Sequence, residues 1–137
     1  MAVVISSGLI ERIVALAAAE PMREVCGLLL GEGDRINDIL PATNIAADPA
    51  RAFEVDPVIL FNAIRHARAG GPAVIGCYHS HPSGDVMPSK RDRAMIGRVG
   101  ELWLITDGHE LHAWRSVTDT SFAEVMLLVQ PSACVTS

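Results

Sequence analysis

Short apolar runs of strand length recur along this chain, and most are closed by a glycine, a proline or an Asp-Gly turn. Residues 25–30 form one such run, continuous enough to read as a buried strand ended by Gly31. A turn at Gly33-Asp34 leads to a partner strand over 36–40. Residues 2–5, 51–55, 73–78 and 122–129 also read as strands, and 102–106 and 111–115 flank Asp107-Gly108 as a hairpin. Three stretches break this rhythm with helical spacing. Leu9, Ile10, Ile13, Val14 and Ala17 predict a helix capped by Ser6 or Ser7 and stopped by Pro21. Asp56-Pro57 pairs a cap with a first-turn proline, so a helix should run to about residue 69, before Gly70-Gly71-Pro72. A third helix is expected over 89–99, after a polar loop at 82–88. Strands and helices mixed in this order predict an α/β or α+β layer fold with a mostly mixed sheet.

The chain has 137 residues, which fits one domain over 1–130 with a loose tail over 131–137. Half of the residues are hydrophobic, enough for a core without disulfides. The net charge is −5 and no basic stretch exists, which excludes a nucleic-acid partner. No run reaches the ~20 apolar residues of a membrane span, and no leader pattern opens the chain. Cys26, Cys77 and Cys134 cannot all pair internally and form no CxxC, so they read as reduced thiols of a cytoplasmic protein. Lys90 is the one lysine among 11 basic residues, a bias of GC-rich, bacterial coding.

Chemistry concentrates in Gly76-Cys77-Tyr78-His79-Ser80-His81-Pro82. Residues i and i+2 of a strand share a face, so His79 and His81 can grip one ion, and neutral imidazole suits zinc. A catalytic zinc usually takes three protein ligands. Asp85 and Asp92 are both within reach in sequence; Asp92, at a helix entry, has the more rigid platform. Ser89-Lys90-Arg91-Asp92 also reads as a plain capping box, and such a serine can still aim its hydroxyl at a metal site.

Together these residues resemble the JAMM (MPN+) motif: His79-Ser80-His81, seven residues, Ser89, two residues, Asp92. Glu24-Val25-Cys26-Gly27-Leu28-Leu29, Asn44 and Phe53-Glu54-Val55-Asp56-Pro57 also resemble prokaryotic members of that family. The resemblance implies a cytidine deaminase-like α/β fold, a curved mixed sheet flanked by about three helices. It implies Zn2+ on His79, His81 and Asp92, with water as the fourth ligand. Glu24 becomes the general base and Ser89 the donor to the oxyanion. The implied reaction is hydrolysis of an isopeptide or C-terminal amide bond. The implied substrate is a protein or peptide, a ubiquitin-like or sulfur-carrier adduct being one form of it.

The remaining polar and reactive residues read more plainly. Cys26 and Cys77 are expected to be buried apolar thiols. His66, His109 and His112 are expected on solvated faces, Trp103 and Trp114 in core or half-buried positions of the hairpin strands, and Gly84 in a turn. Two other functions fit parts of the pattern: a non-catalytic scaffold of the same fold, which the complete motif opposes, and a nucleoside deaminase, which would need His-x-Glu and Pro-Cys-x-x-Cys. An exposed apolar face on the first helix would offer a contact for a homodimer.

Overall fold

The computed structural model describes residues 2–132. Within them lie seven strands and three helices, in the order β1 (Ala2–Ser6), α1 (Ser7–Ala18), β2 (Cys26–Glu32), β3 (Arg35–Ala42), α2 (Pro57–Arg68), β4 (Ala73–Ser80), α3 (Lys90–Ala94), β5 (Leu102–Thr106), β6 (Leu111–Ser116) and β7 (Phe122–Gln130). The sheet runs β1-β3-β2-β4-β5-β6-β7 and curls until β7 meets β1. Three pairings are parallel (β1 with β3, β1 with β7, β4 with β5) and the others antiparallel. The expected curved mixed α/β sheet with about three helices is what forms.

Side chains alternate across each strand, and β5 and the C-terminal end of β4 bury both of their faces. On one face Tyr78, Leu102 and Leu104 join Val3, Ile5, Leu29, Ala113 and Val125. Helix α1 lays Ile13 into this core, with Leu9, Ile10 and Leu16 packed beside it. The apolar face of α1 is therefore spent on its own sheet and is not the exposed homodimer surface anticipated from the sequence. On the other face Cys26, Phe53, Trp103, Ile105 and Trp114 form a second, aromatic cluster with Cys77 and Phe122 around it. His79 projects into this second face, because it lies two residues from Cys77 on the same strand.

Several element expectations need correction. Residues 51–55 form no strand; only Val55 makes a bridge, to Asn44. The Asn44 side chain takes the backbone hydrogen bonds there, donating to the Ala52 carbonyl and accepting from the Glu54 N–H. Helix α3 stops at Ala94 instead of reaching Val99. The Glu101 carboxylate captures the Gly97 and Arg98 N–H groups and holds that segment as a loop. Ser132 bonds to the start of α1: the Gly8 N–H donates to Ser132 Oγ, and the Ser132 N–H to Ser7 Oγ. Residues 133–137, Cys134 among them, lie outside the described residues. Cys26 and Cys77 are free thiols, one buried and one half-buried. Among the described residues, no helix is long and apolar enough to cross a membrane.

Candidate metal centre

The end of β4 carries the two histidines. His79 pairs with Ile105 of β5, and the His81 N–H extends that ladder by donating to the Thr106 carbonyl. Both rings turn to the same side, so their Nε2 atoms stand 3.0 Å apart. Phe53 stacks on the His79 ring at 4.2 Å, and Trp103 meets it edge-on at 5.5 Å. These contacts fix the ring plane and exclude water from one side.

Asp92 arrives from α3. Ser89 is the N-cap: its Oγ accepts from the Asp92 N–H at 3.0 Å, and Asp92 Oδ2 accepts from the Ser89 N–H at 2.9 Å. The capping box read from the sequence is therefore present, and it aims the same carboxylate at both histidines. Asp92 Oδ2 lies 3.1 Å from His79 Nε2 and 3.0 Å from His81 Nε2. Asp85, the other acid considered, points elsewhere. Its carboxylate accepts from the Met87 N–H, while its backbone carbonyl accepts from His81 Nδ1 at 2.9 Å.

Glu24 sits just ahead of β2, and four hydrogen bonds bring it over the histidines. Its N–H donates to the Pro49 carbonyl, and its own carbonyl accepts from Asn44 Nδ2. Next to it, the Val25 N–H donates to Ser80 Oγ and the Val25 carbonyl accepts from the Ser80 N–H. Since Cys26 pairs with His79, the start of β2 is locked beside the site. Gly27 allows this approach, because a methyl group there would collide with the Tyr78 ring. As a result Glu24, His79, His81 and Asp92, all buried, bring four donor atoms within 4.8 Å of one another. Among the described residues, Ser89 bonds to the group through Asp92, its Oγ acting there as acceptor.

The donor set fits a divalent cation better than protons. The Asp85 carbonyl is an acceptor only, so His81 carries its hydrogen on Nδ1, and neutral His81 presents a bare lone pair at Nε2. Burial disfavours the charged form of His79 and lowers its pKa. Burial alone would raise the Asp92 pKa, but contacts from His79, His81 and the Ser89 N–H hold it well below the usual carboxylate range. The three mutual contacts of these atoms would each need a proton, and two imidazole Nε2 atoms supply two at most. One cation satisfies all three lone pairs together. Atoms on a tetrahedral ion with bonds of about 2.0–2.1 Å stand roughly 3.3 Å apart, a few tenths of an ångström beyond the 3.0–3.1 Å found here. Burial also raises Glu24, from 4.5 to about 7, with the Asp92 charge adding to the effect and His81 opposing it.

Residues 6–117 match the family described as prokaryotic homologs of the JAB domain. The chain belongs to this family. Over 119 residues it is 35% identical to a desampylase of Haloferax volcanii, covering 83% of this chain and 84% of that relative. It is 32% identical over 102 residues to a Thermus thermophilus protein named probable TtuB-protein conjugate cleaving protease, covering 74% of this chain and 68% of the relative. The solution structure of a Desulfitobacterium hafniense protein superposes with a TM-score of 0.80 at 23% identity, covering 96% of this chain and 94% of that one. Across most of its length this JAB-family chain is thus similar in sequence to these relatives and in fold to the solved structure.

The five residues singled out in the sequence fare unequally in space. Four meet in one buried cluster, and Ser89 stands one bond behind it. His66 and His109 are exposed and His112 half-buried, the last paired with Glu124 at 2.9 Å. Gly84 adopts a φ of +90°, the turn conformation expected of it. Ser80 and the Asp85 carbonyl were not foreseen. The signal for Ser80 lay in its alternation: between two same-face histidines, it must turn to the opposite side, toward the Glu24 segment.

Proposed function

We propose that this JAB-family chain is a zinc-dependent hydrolase of isopeptide or C-terminal amide bonds, with protein conjugates as its substrates. The observation that carries this reading is the buried group of Glu24, His79, His81 and Asp92, with its four donor atoms within 4.8 Å. Names of relatives, a desampylase and a conjugate-cleaving protease, support the substrate class. Conjugates of a small ubiquitin-like or sulfur-carrier protein are the form we favour.

In this reading His79, His81 and Asp92 hold the metal. Zinc in such a site polarises a carbonyl and lowers the pKa of a bound water toward about 7. Glu24 accepts the proton of the attacking water and returns it to the leaving amine. Burial favours the protonated form of Glu24 in the metal-free chain, and a neighbouring cation would favour its ionised, proton-accepting form. The Ser89 hydroxyl, whose oxygen already accepts from the Asp92 N–H, has its hydrogen left to donate to the oxyanion. Phe53 and Trp103 keep the His79 side dry, which strengthens each of these interactions.

The test uses a purified conjugate whose ubiquitin-like partner ends in Gly-Gly. Cleavage should stop on chelation and return with zinc. Glu24→Gln should keep its zinc and lose turnover. Full activity in that variant, or cleavage indifferent to chelators, would overturn the proposal.

A further inference from the structure

His81 takes its orientation from the 82–88 loop, so whatever holds that loop also sets the histidine. Inside the loop the Gly84 N–H donates to the His81 carbonyl, and the Met87 N–H to the Asp85 carboxylate. The Asp85 carbonyl meets His81 Nδ1 at 2.9 Å, yet Asp85 itself is exposed. Among the described residues, one hydrogen bond ties this loop to an element beyond its own flanks. Trp114 of β6 donates from Nε1 to the Val86 carbonyl at 3.0 Å. Trp114 is 6% exposed and sits in the aromatic cluster, directly across from Trp103. Packing therefore fixes its indole, and the N–H is a rigid peg at the Val86–Met87 peptide, one residue beyond the Asp85 carbonyl.

We propose that Trp114 is a positioning residue for the metal centre, acting through Val86 and the Asp85 carbonyl on His81. A bond from a fixed indole to the Val86 carbonyl holds the Val86–Met87 peptide, and through the Val86 backbone it restrains the neighbouring Asp85–Val86 peptide. The Asp85 carbonyl is thereby aimed at Nδ1, which holds His81 in the tautomer with a free lone pair at Nε2. Groups that orient a metal-bound histidine typically change metal affinity 10–100-fold when removed. Trp114 stands one peptide further out, so an effect near tenfold is expected. This inference rests on the zinc reading above for its affinity arm only.

The test pairs Trp114→Phe with replacement of Trp114 by benzothienylalanine, which keeps the bicyclic shape and lacks the N–H. The second variant guards against a packing defect in the first. Zinc affinity is measured by chelator competition, and the His81 tautomer by 15N NMR on metal-free protein at alkaline pH, where the ring is neutral. Both variants should bind zinc about tenfold more weakly, lower kcat more than KM, and show His81 exchanging between tautomers. Wild-type affinity and an unchanged His81 tautomer in the benzothienylalanine protein would overturn the proposal, even if Trp114→Phe were impaired. If the wild-type chain took up no zinc but its tautomer still depended on the indole N–H, the positioning role would stand and the zinc reading would fall.

Discussion

Replacing Glu24 by glutamine should change how the metal-free protein responds to pH. Glu24 is 4% exposed, and its Oε1 has no hydrogen-bond partner among the described residues. Burial moves its pKa from 4.5 to about 7. Between those values the folded chain holds a proton that the unfolded chain has released. Stability must therefore fall as pH rises through the window from about 4.5 to about 7, by linkage. A rise of that size corresponds to roughly 3 kcal/mol once both states are ionised. Glutamine carries no charge at either end and escapes this loss. Urea denaturation in the presence of chelator, at pH 4.5 and at pH 8.5, gives four stabilities. The variant should gain about 3 kcal/mol on the wild type between the two conditions. Comparing pH values cancels any fixed cost of burying the amide. A gap between the proteins that stays constant with pH, or that shifts toward the wild type at pH 8.5, would refute the reasoning. Zinc should shrink the effect, because a cation beside the carboxylate favours its ionised form.

Other perturbations separate the roles of the neighbouring groups. Asp92 is held ionised, so its contribution is complete above its ordinary range and fades as pH falls below about 4. Asp92→Asn should accordingly flatten the acid limb of metal-free unfolding curves and lose stoichiometric zinc by elemental analysis. Asn44→Ala removes a side chain that donates to the Glu24 and Ala52 carbonyls and accepts from the Ala46 and Glu54 N–H groups. It should cost about 2–4 kcal/mol in denaturant unfolding. It should also lower kcat while zinc content stays at the wild-type level, because Glu24 and not the metal triad is released.

How much of this was legible in the chain follows from the range of each interaction. His79 and His81 could be placed on one face because strand alternation is local, and Ser89-x-x-Asp92 declared its capping box for the same reason. Glu24 carried no such mark. It reaches the site through the pairing of β2 with β4 and through Asn44 and Pro49, contacts far apart in sequence; only resemblance to known proteins picked it out. The errors have the same origin. Residues 51–55 have a strand-like pattern, but the Asn44 side chain competes for their backbone, and Phe53 is drawn onto His79. The third helix was expected to continue to Val99, yet the Glu101 carboxylate, beyond its end, captures the N–H groups of Gly97 and Arg98. Core or half-buried tryptophans were anticipated in β5 and β6, and they are buried, but the Trp114 bond to the 82–88 loop depends on a separation of 28 positions.

The central claim is most directly tested by an anomalous-scattering map at the zinc edge from crystals grown with the metal. One peak per chain is expected, bound by Nε2 of His79, Nε2 of His81 and Oδ2 of Asp92 at about 2.0–2.2 Å, with Glu24 nearby and unbound. A chain whose zinc lies elsewhere, or in which these three side chains turn away from a common point, would contradict the account.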